Sequence, residues 1–296
     1  MKFRKIVPYI LSLGMLFSPK TIASYSNEEK SSKEINFEEK FNMSSYMENS
    51  YDLQKQMIEN RAQKLISTYI DFAINGTKRI IENKNKSGYM SAVRQELPGA
   101  PTNTSRRTLH CLYGQYTQLN RALAEIGDTI QMIPRAENAH MATSSFRRNM
   151  SKLYNNTEYK KSIYTGHLYS TDEEFNAALD KYIKTNTNNK KGNLDSLRNL
   201  YTQQFKQTNF CATELNPGTI IIVSSGHAVM YLGQGSVKNE EFIPDENGHA
   251  IVCSYNREHP AIDLSYWGTK NAFAADIKNI YIQLQEQIIN SQTAQR

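Results

Sequence analysis

The segment 217–235, P-G-T-I-I-I-V-S-S-G-H-A-V-M-Y-L-G-Q-G, constrains the fold more than any other. Two apolar runs, 219–223 and 228–232, are divided by Ser224-Ser225-Gly226 and closed by Gly233. Short Ile/Val-rich runs bounded by Gly and Ser predict two paired strands joined by a tight turn. His227 opens the second strand, and alternation puts it on one face with Val229 and Tyr231. A histidine on a rigid strand beside a glycine turn can be held still and still meet solvent, as a general base must. The plainer reading is a strand-end histidine satisfied by a neighbour. The distinction turns on whether the chain supplies a nucleophile.

A thiol is the candidate. In H-C-L-Y-G-Q-Y-T-Q-L-N-R-A-L, Leu112, Tyr116, Leu119 and Leu123 recur at helical spacing, so Cys111 falls at or near a helix N-terminus. Backbone N–H groups and the helix dipole favour a thiolate there, and a nearby imidazole would favour it further. A buried structural thiol, or half of a disulfide, is the other reading. The chain has three cysteines, Cys111, Cys211 and Cys253, so one stays free if two pair.

The rest of the 296 residues is arranged around these pieces. Residues 1–24 carry Lys2, Arg4 and Lys5 ahead of the apolar run 6–17 and the small-residue stretch Thr21-Ile22-Ala23. This pattern predicts a secretory signal, too short to span a bilayer. The expected location is secreted or periplasmic, with no membrane span. The formal charge of +6 owes four basic residues to that segment, which leaves about +2 for the remainder. With no basic block, nucleic-acid binding finds no support.

Residues 25–50 are polar and aperiodic, as in a flexible linker. An N-terminal helical segment, 51–87, follows. In it an amphipathic helix is expected over 52–81 from Leu53, Met57, Ile58, Leu65, Ile66, Tyr69, Ile70 and Ala73, with a possible break at Asn75-Gly76. Residues 136–210 read as a mostly helical insertion. Residues 236–248 read as a charged loop, 249–255 as a third strand and 272–282 as a closing strand. A polar tail, 283–296, ends the chain. No metal-ligand spacing and no phosphate-binding glycine loop is present, so neither metal nor cofactor is expected.

A helix-start Cys followed by a His-led strand in a small antiparallel sheet is the papain-like order. In detail the chain resembles the NlpC-type cell-wall cysteine peptidases, relatives of the CHAP amidases. Four pieces carry the resemblance, in family order: 99–119 around Cys111; Met132-Ile133-Pro134-Arg135; Leu215-Asn216-Pro217-Gly218 with His227-Ala228-Val229-Met230-Tyr231-Leu232-Gly233; and Ala261-Ile262-Asp263-Leu264-Ser265-Tyr266-Trp267. The likeness spans 88–282. It implies an α+β fold with the sheet packed on the Cys-bearing helix, and a catalytic domain interrupted by the insertion.

The chain departs from the family pattern at His110, where Asp is usual, and at Leu112-Tyr113, where Ser-Gly is usual. Thr219 replaces Asp, and the loop before Cys111 has no tyrosine. By resemblance Cys111 is the nucleophile and His227 the base, within hydrogen-bond reach of each other. The third position falls near 253–256. Asn256 is the first choice there, with Ser254 and His249 as alternatives. An acceptor on Nδ1–H would present Nε2 to the thiol. Cys211 and Cys253, placed before and within the strands, are the pair expected to be bridged if any is.

The implied activity is hydrolysis of amide bonds in peptidoglycan stem peptides or another peptide substrate. A cysteine protease acting on a protein target belongs to the same chemistry. A non-catalytic binding or adhesion module on a degenerate papain-like fold is the reading from a different class.

Overall fold

The Ile/Val runs pair as expected in a computed structural model, which describes residues 43–97, 108–133, 143–154, 162–188, 193–224, 226–254 and 260–293. Residues 1–24, the expected signal, lie outside the described residues, as does most of 25–50. From Tyr51 to Arg296 the chain forms one compact unit.

Strand β3 (Ile220–Ile222) and strand β4 (Ala228–Lys238) are antiparallel, with Ile222 opposite Ala228 and Ile220 opposite Met230. They sit inside an eight-stranded sheet. Its other members are β1 (Ile163–Tyr169), β2 (Asn209–Cys211), β5 (Glu241–Pro244), β6 (His249–Cys253), β7 (Ile262–Asp263) and β8 (Ala272–Ala275). The order is β2-β1-β8-β3-β4-β6-β7, with β5 paired to β4. The β1–β2 pair is parallel and the others are antiparallel, so the sheet is mixed and larger than the small antiparallel one expected.

Alternation sorts the strands' side chains onto two faces. Ile220, Ile222, Ala228, Met230, Ile251, Cys253 and Phe273 pack into the main core. That core is shared with helices α1 (Met43–Ser87), α2 (Tyr89–Glu96), α3 (Thr108–Glu125), α4 (Thr143–Tyr154) and α7 (Ile277–Thr293). Ile221, Val229, Tyr231, Val252, Leu264 and Trp267 build the opposite core. Helices α5 (Asp172–Thr187) and α6 (Leu194–Thr208) pack on each other and, through Phe175 and Phe205, on Cys211.

Helix α1 buries Ile58, Leu65, Ile66, Tyr69 and Ala73 of the expected stripe, whereas Leu53 and Met57 are exposed. It does not break at Gly76. A Cβ there would lie 2.7 Å from Gln118 Nε2 and 3.0 Å from Glu96 Oε1, so glycine lets α1 approach α2 and α3 closely.

Four readings of the sequence are corrected. The segment 136–210 is not a helical insertion alone, because β1 enters the sheet between β2 and β8. The charged loop 236–248 contains β5, joined to β4 by Asn239 and Glu240 with φ of 51° and 66°, the signature of a tight hairpin turn. The closing strand ends at Ala275. There the Asp276 carboxylate accepts from Asn279 N at 3.0 Å and caps α7, whose Ile277, Ile280 and Tyr281 are buried. The expected polar tail is therefore largely α7, and Gln283 is buried, donating to Ser162 Oγ at 2.6 Å.

Candidate active site

Cys111 is the fourth residue of α3 as described, and its side chain is fully buried. Its Sγ accepts the backbone N–H of Ala228 at 3.2 Å. Ala228 follows His227, so the fold brings the thiol to the peptide that joins the candidate base to β4. Burial pushes the thiol pKa up to about 11, against the N–H groups of Ala228, Leu112 and Cys111 itself, which pull it down. Burial thus favours the neutral thiol over the thiolate that a helix N-terminus alone would favour.

His227 sits at the entry to β4 and is 7% exposed. The turn before it is closed by Val223 N donating to His227 O at 3.0 Å and Gly226 N donating to Val223 O at 2.8 Å. Gly226 has φ 74°, a left-handed conformation that glycine adopts at little cost. The imidazole lies 5.6 Å, centre to centre, from Trp267, which helps enclose it. Trp267 was visible in the sequence, but nothing in its spacing tied it to the histidine.

His227 Nε2 lies 2.7 Å from Ser254 Oγ, and Ser254 is fully buried just past the end of β6. Nε2, the nitrogen expected to face the thiol, meets Ser254 here. Ser254 was one of the alternatives for the third position. Asn256 lies outside the described residues. His249, the other alternative, is not brought to this site. It stands opposite Gly235 at the far end of β4, with Nδ1 3.2 Å from Asp263 Oδ2, beside a surface cavity of about 500 Å³.

None of the three cysteines forms a disulfide; Cys211 and Cys253 were the expected pair only if one formed. Cys253 lies in the main core with Sγ 3.3 Å from Thr77 Oγ1, whereas Cys211 is packed among Phe175 and Phe205. They belong to different clusters. Among the described residues no group of three or more His, Cys, Asp or Glu could hold a metal ion. No described helix is long and apolar enough to cross a membrane.

No family model, curated protein or solved structure matches this chain. The functional reading therefore rests on geometry and on the resemblance of its motifs.

Proposed function

We propose that the protein is an exported cysteine hydrolase that cleaves amide bonds of peptidoglycan stem peptides through Cys111 and His227. The observation that carries this reading is the convergence on the start of β4. Cys111 Sγ accepts from Ala228 N at 3.2 Å, while the preceding residue, His227, is held through Nε2 by Ser254.

The chemistry would run in two halves. The thiol passes its proton to His227 Nδ1 as sulfur bonds to the amide carbonyl carbon. The backbone N–H of Cys111 is a donor for the oxyanion. The imidazolium returns its proton to the departing amine as the C–N bond breaks, leaving a thioester. Water, deprotonated by His227, then displaces the thiol and releases the acid. Ser254, through its contact with Nε2, would orient the ring for that transfer; Asn256 is a further candidate for that task. The buried thiol implies that substrate enters an opened form. There desolvation falls, and the Ala228 N–H favours sulfur in its anionic state.

The same burial favours a second reading, a non-catalytic binding module that kept the fold and lost the chemistry. Purified sacculi treated with the wild-type protein and with Cys111→Ala separate the two. Soluble fragments with newly exposed termini, found by mass spectrometry for the wild type alone, support the enzyme. Intact sacculi that retain the protein in both samples support the module.

A further inference from the structure

We infer that Arg147, on helix α4, is a positioning residue for the Cys111–His227 pair and acts through the β3–β4 turn. The inference rests on the cysteine-hydrolase reading above. It also gives part of the segment between α3 and β3 a task in that reaction.

The side chain sits where both halves of the site can be held at once. Arg147 Nη2 donates to Ile222 O at 3.2 Å and to Val223 O at 3.4 Å. Ile222 stands opposite Ala228, whose N–H goes to Cys111 Sγ. Val223 donates its own N–H to His227 O and accepts from Gly226 N. One guanidinium thus braces the strand residue across from the thiol's backbone partner and the residue that closes the turn under the histidine.

Helix α4 is fitted to the same turn at a second point. A Cβ on Gly226 would lie 3.3 Å from Thr143 Oγ1, so the first residue of α4 rests against the glycine that lets the turn close. The helix is anchored in turn by buried Phe146, which meets Phe273 edge-on at 6.0 Å, and by Met150 and Tyr154.

Arg147 is half-buried and forms no ion pair with a described carboxylate. Burial also draws its pKa down. A cation is costly to desolvate without a partner, so its charge-assisted bonds to the two carbonyls are its compensation. Reaction geometry is sensitive at this scale: a displacement of about 1 Å can cost roughly a hundredfold in rate. Releasing the turn would shift His227 and Ala228, the thiol's backbone partner, without removing any reacting group.

The test is the rate at which iodoacetamide labels each cysteine of the full chain at neutral pH, read by peptide mass spectrometry. Cys211 and Cys253 serve as internal reporters of loosening, Cys211 in a separate cluster with Phe175 and Phe205 and Cys253 in the main core beside Thr77. Slower proton transfer and general loosening have opposite signs in this assay. In Arg147→Ala, Cys111 labelling should fall about tenfold or more, with Cys211 and Cys253 unchanged. Arg147→Lys should restore part of the rate, because an ammonium can reach one of the two carbonyls.

Labelling of Cys111 at the wild-type rate in Arg147→Ala, with a loss in His227→Ala, would overturn the inference and leave the Cys–His reading standing. Faster labelling of all three thiols would overturn it too, by making Arg147 merely structural. An unchanged rate in His227→Ala would remove the Cys–His reading itself. If Arg147→Ala does not fold, Arg147→Gln keeps a donor without the charge and is judged by the same criterion.

Discussion

Ser254 Oγ lies 2.7 Å from His227 Nε2, and both residues are buried, at 0% and 7% exposure. The contact holds the imidazole by Nε2. A serine can accept from Nε2–H without adding a charge, so the ring is oriented while its basicity is left to the surroundings.

Ser254→Ala should therefore lower kcat with little change in KM. A hydrogen bond of this kind is worth about 1 kcal/mol net, or somewhat more to the imidazolium, which corresponds to roughly a tenfold loss. Cys111→Ala should abolish turnover. A loss in Asn256→Ala, with none in Ser254→Ala, would move the orienting role to Asn256.

The thiols carry a prediction about alkali. Burial raises the Cys111 pKa from 9.0 to about 11 and that of Cys253 to about 12, where Thr77 pulls it down against the burial. A folded pKa above the unfolded value means stability that is full below pH 9 and is lost as pH rises toward 11. Two units at Cys111 correspond to at most about 3 kcal/mol. Denaturant midpoints measured from pH 8 to 11 should fall steeply in the wild type and less in Cys111→Ala. Parallel curves would show that the thiol titrates as in the unfolded chain.

Glu96 works at the other end of the pH scale. Its buried carboxylate ties α2 to α1 and α3, accepting from Arg79 Nε at 2.7 Å, Arg121 Nη1 at 2.9 Å and Gln118 Nε2 at 3.1 Å. Burial raises its pKa, but the bonds to Arg79, Gln118 and Arg121 outweigh that and hold it below the usual carboxylate range. Its stabilisation is present above the unfolded pKa near 4.5 and is lost as pH falls through the lower folded value. Glu96→Gln should cost about 2 kcal/mol at pH 7, below the range for fully buried pairs because both arginines are partly exposed. It should also flatten the acid limb of the stability curve; an unchanged acid limb would contradict this account.

Gly76→Ala tests the close approach of α1 to α2 and α3. Alanine gains about 1 kcal/mol in helix propensity, but its Cβ would displace Gln118 from Glu96. Overpacking of this kind costs about 1–3 kcal/mol, so a lower Tm is expected. A raised Tm would mean that Gln118 swings aside at no cost.

Local patterns reached some of this architecture and missed the rest. The Ile220–Ile222 and Ala228–Leu232 runs show their pairing because partners and turn are contiguous. Cys111 declares its helix through Leu112, Leu119 and Leu123. Strand β1 could not be seen this way, since Thr165 is exposed within it and its partner β8 is over a hundred residues distant. In α7, the alanines and Phe273 of β8 run into Ile277 and Ile280 without a glycine or proline, and Asp276 marks the change only through the cap it makes. Cys111 and His227 were legible as candidates, and the structure brings Cys111 Sγ to Ala228 N, the residue after His227. The contacts of Ser254 and Trp267 with His227, and of Arg147 with Ile222 and Val223, depend on distant elements that the fold brings together.

The most direct test of the central claim is to look for the thioester. The wild-type protein is mixed with a synthetic stem-peptide amide, quenched in acid within the first turnovers, and weighed intact. A mass gain equal to the acyl portion, mapped to Cys111 and absent in Cys111→Ala, is the predicted result. Cleavage of the peptide by Cys111→Ala at the wild-type rate, with no adduct on either protein, would contradict it.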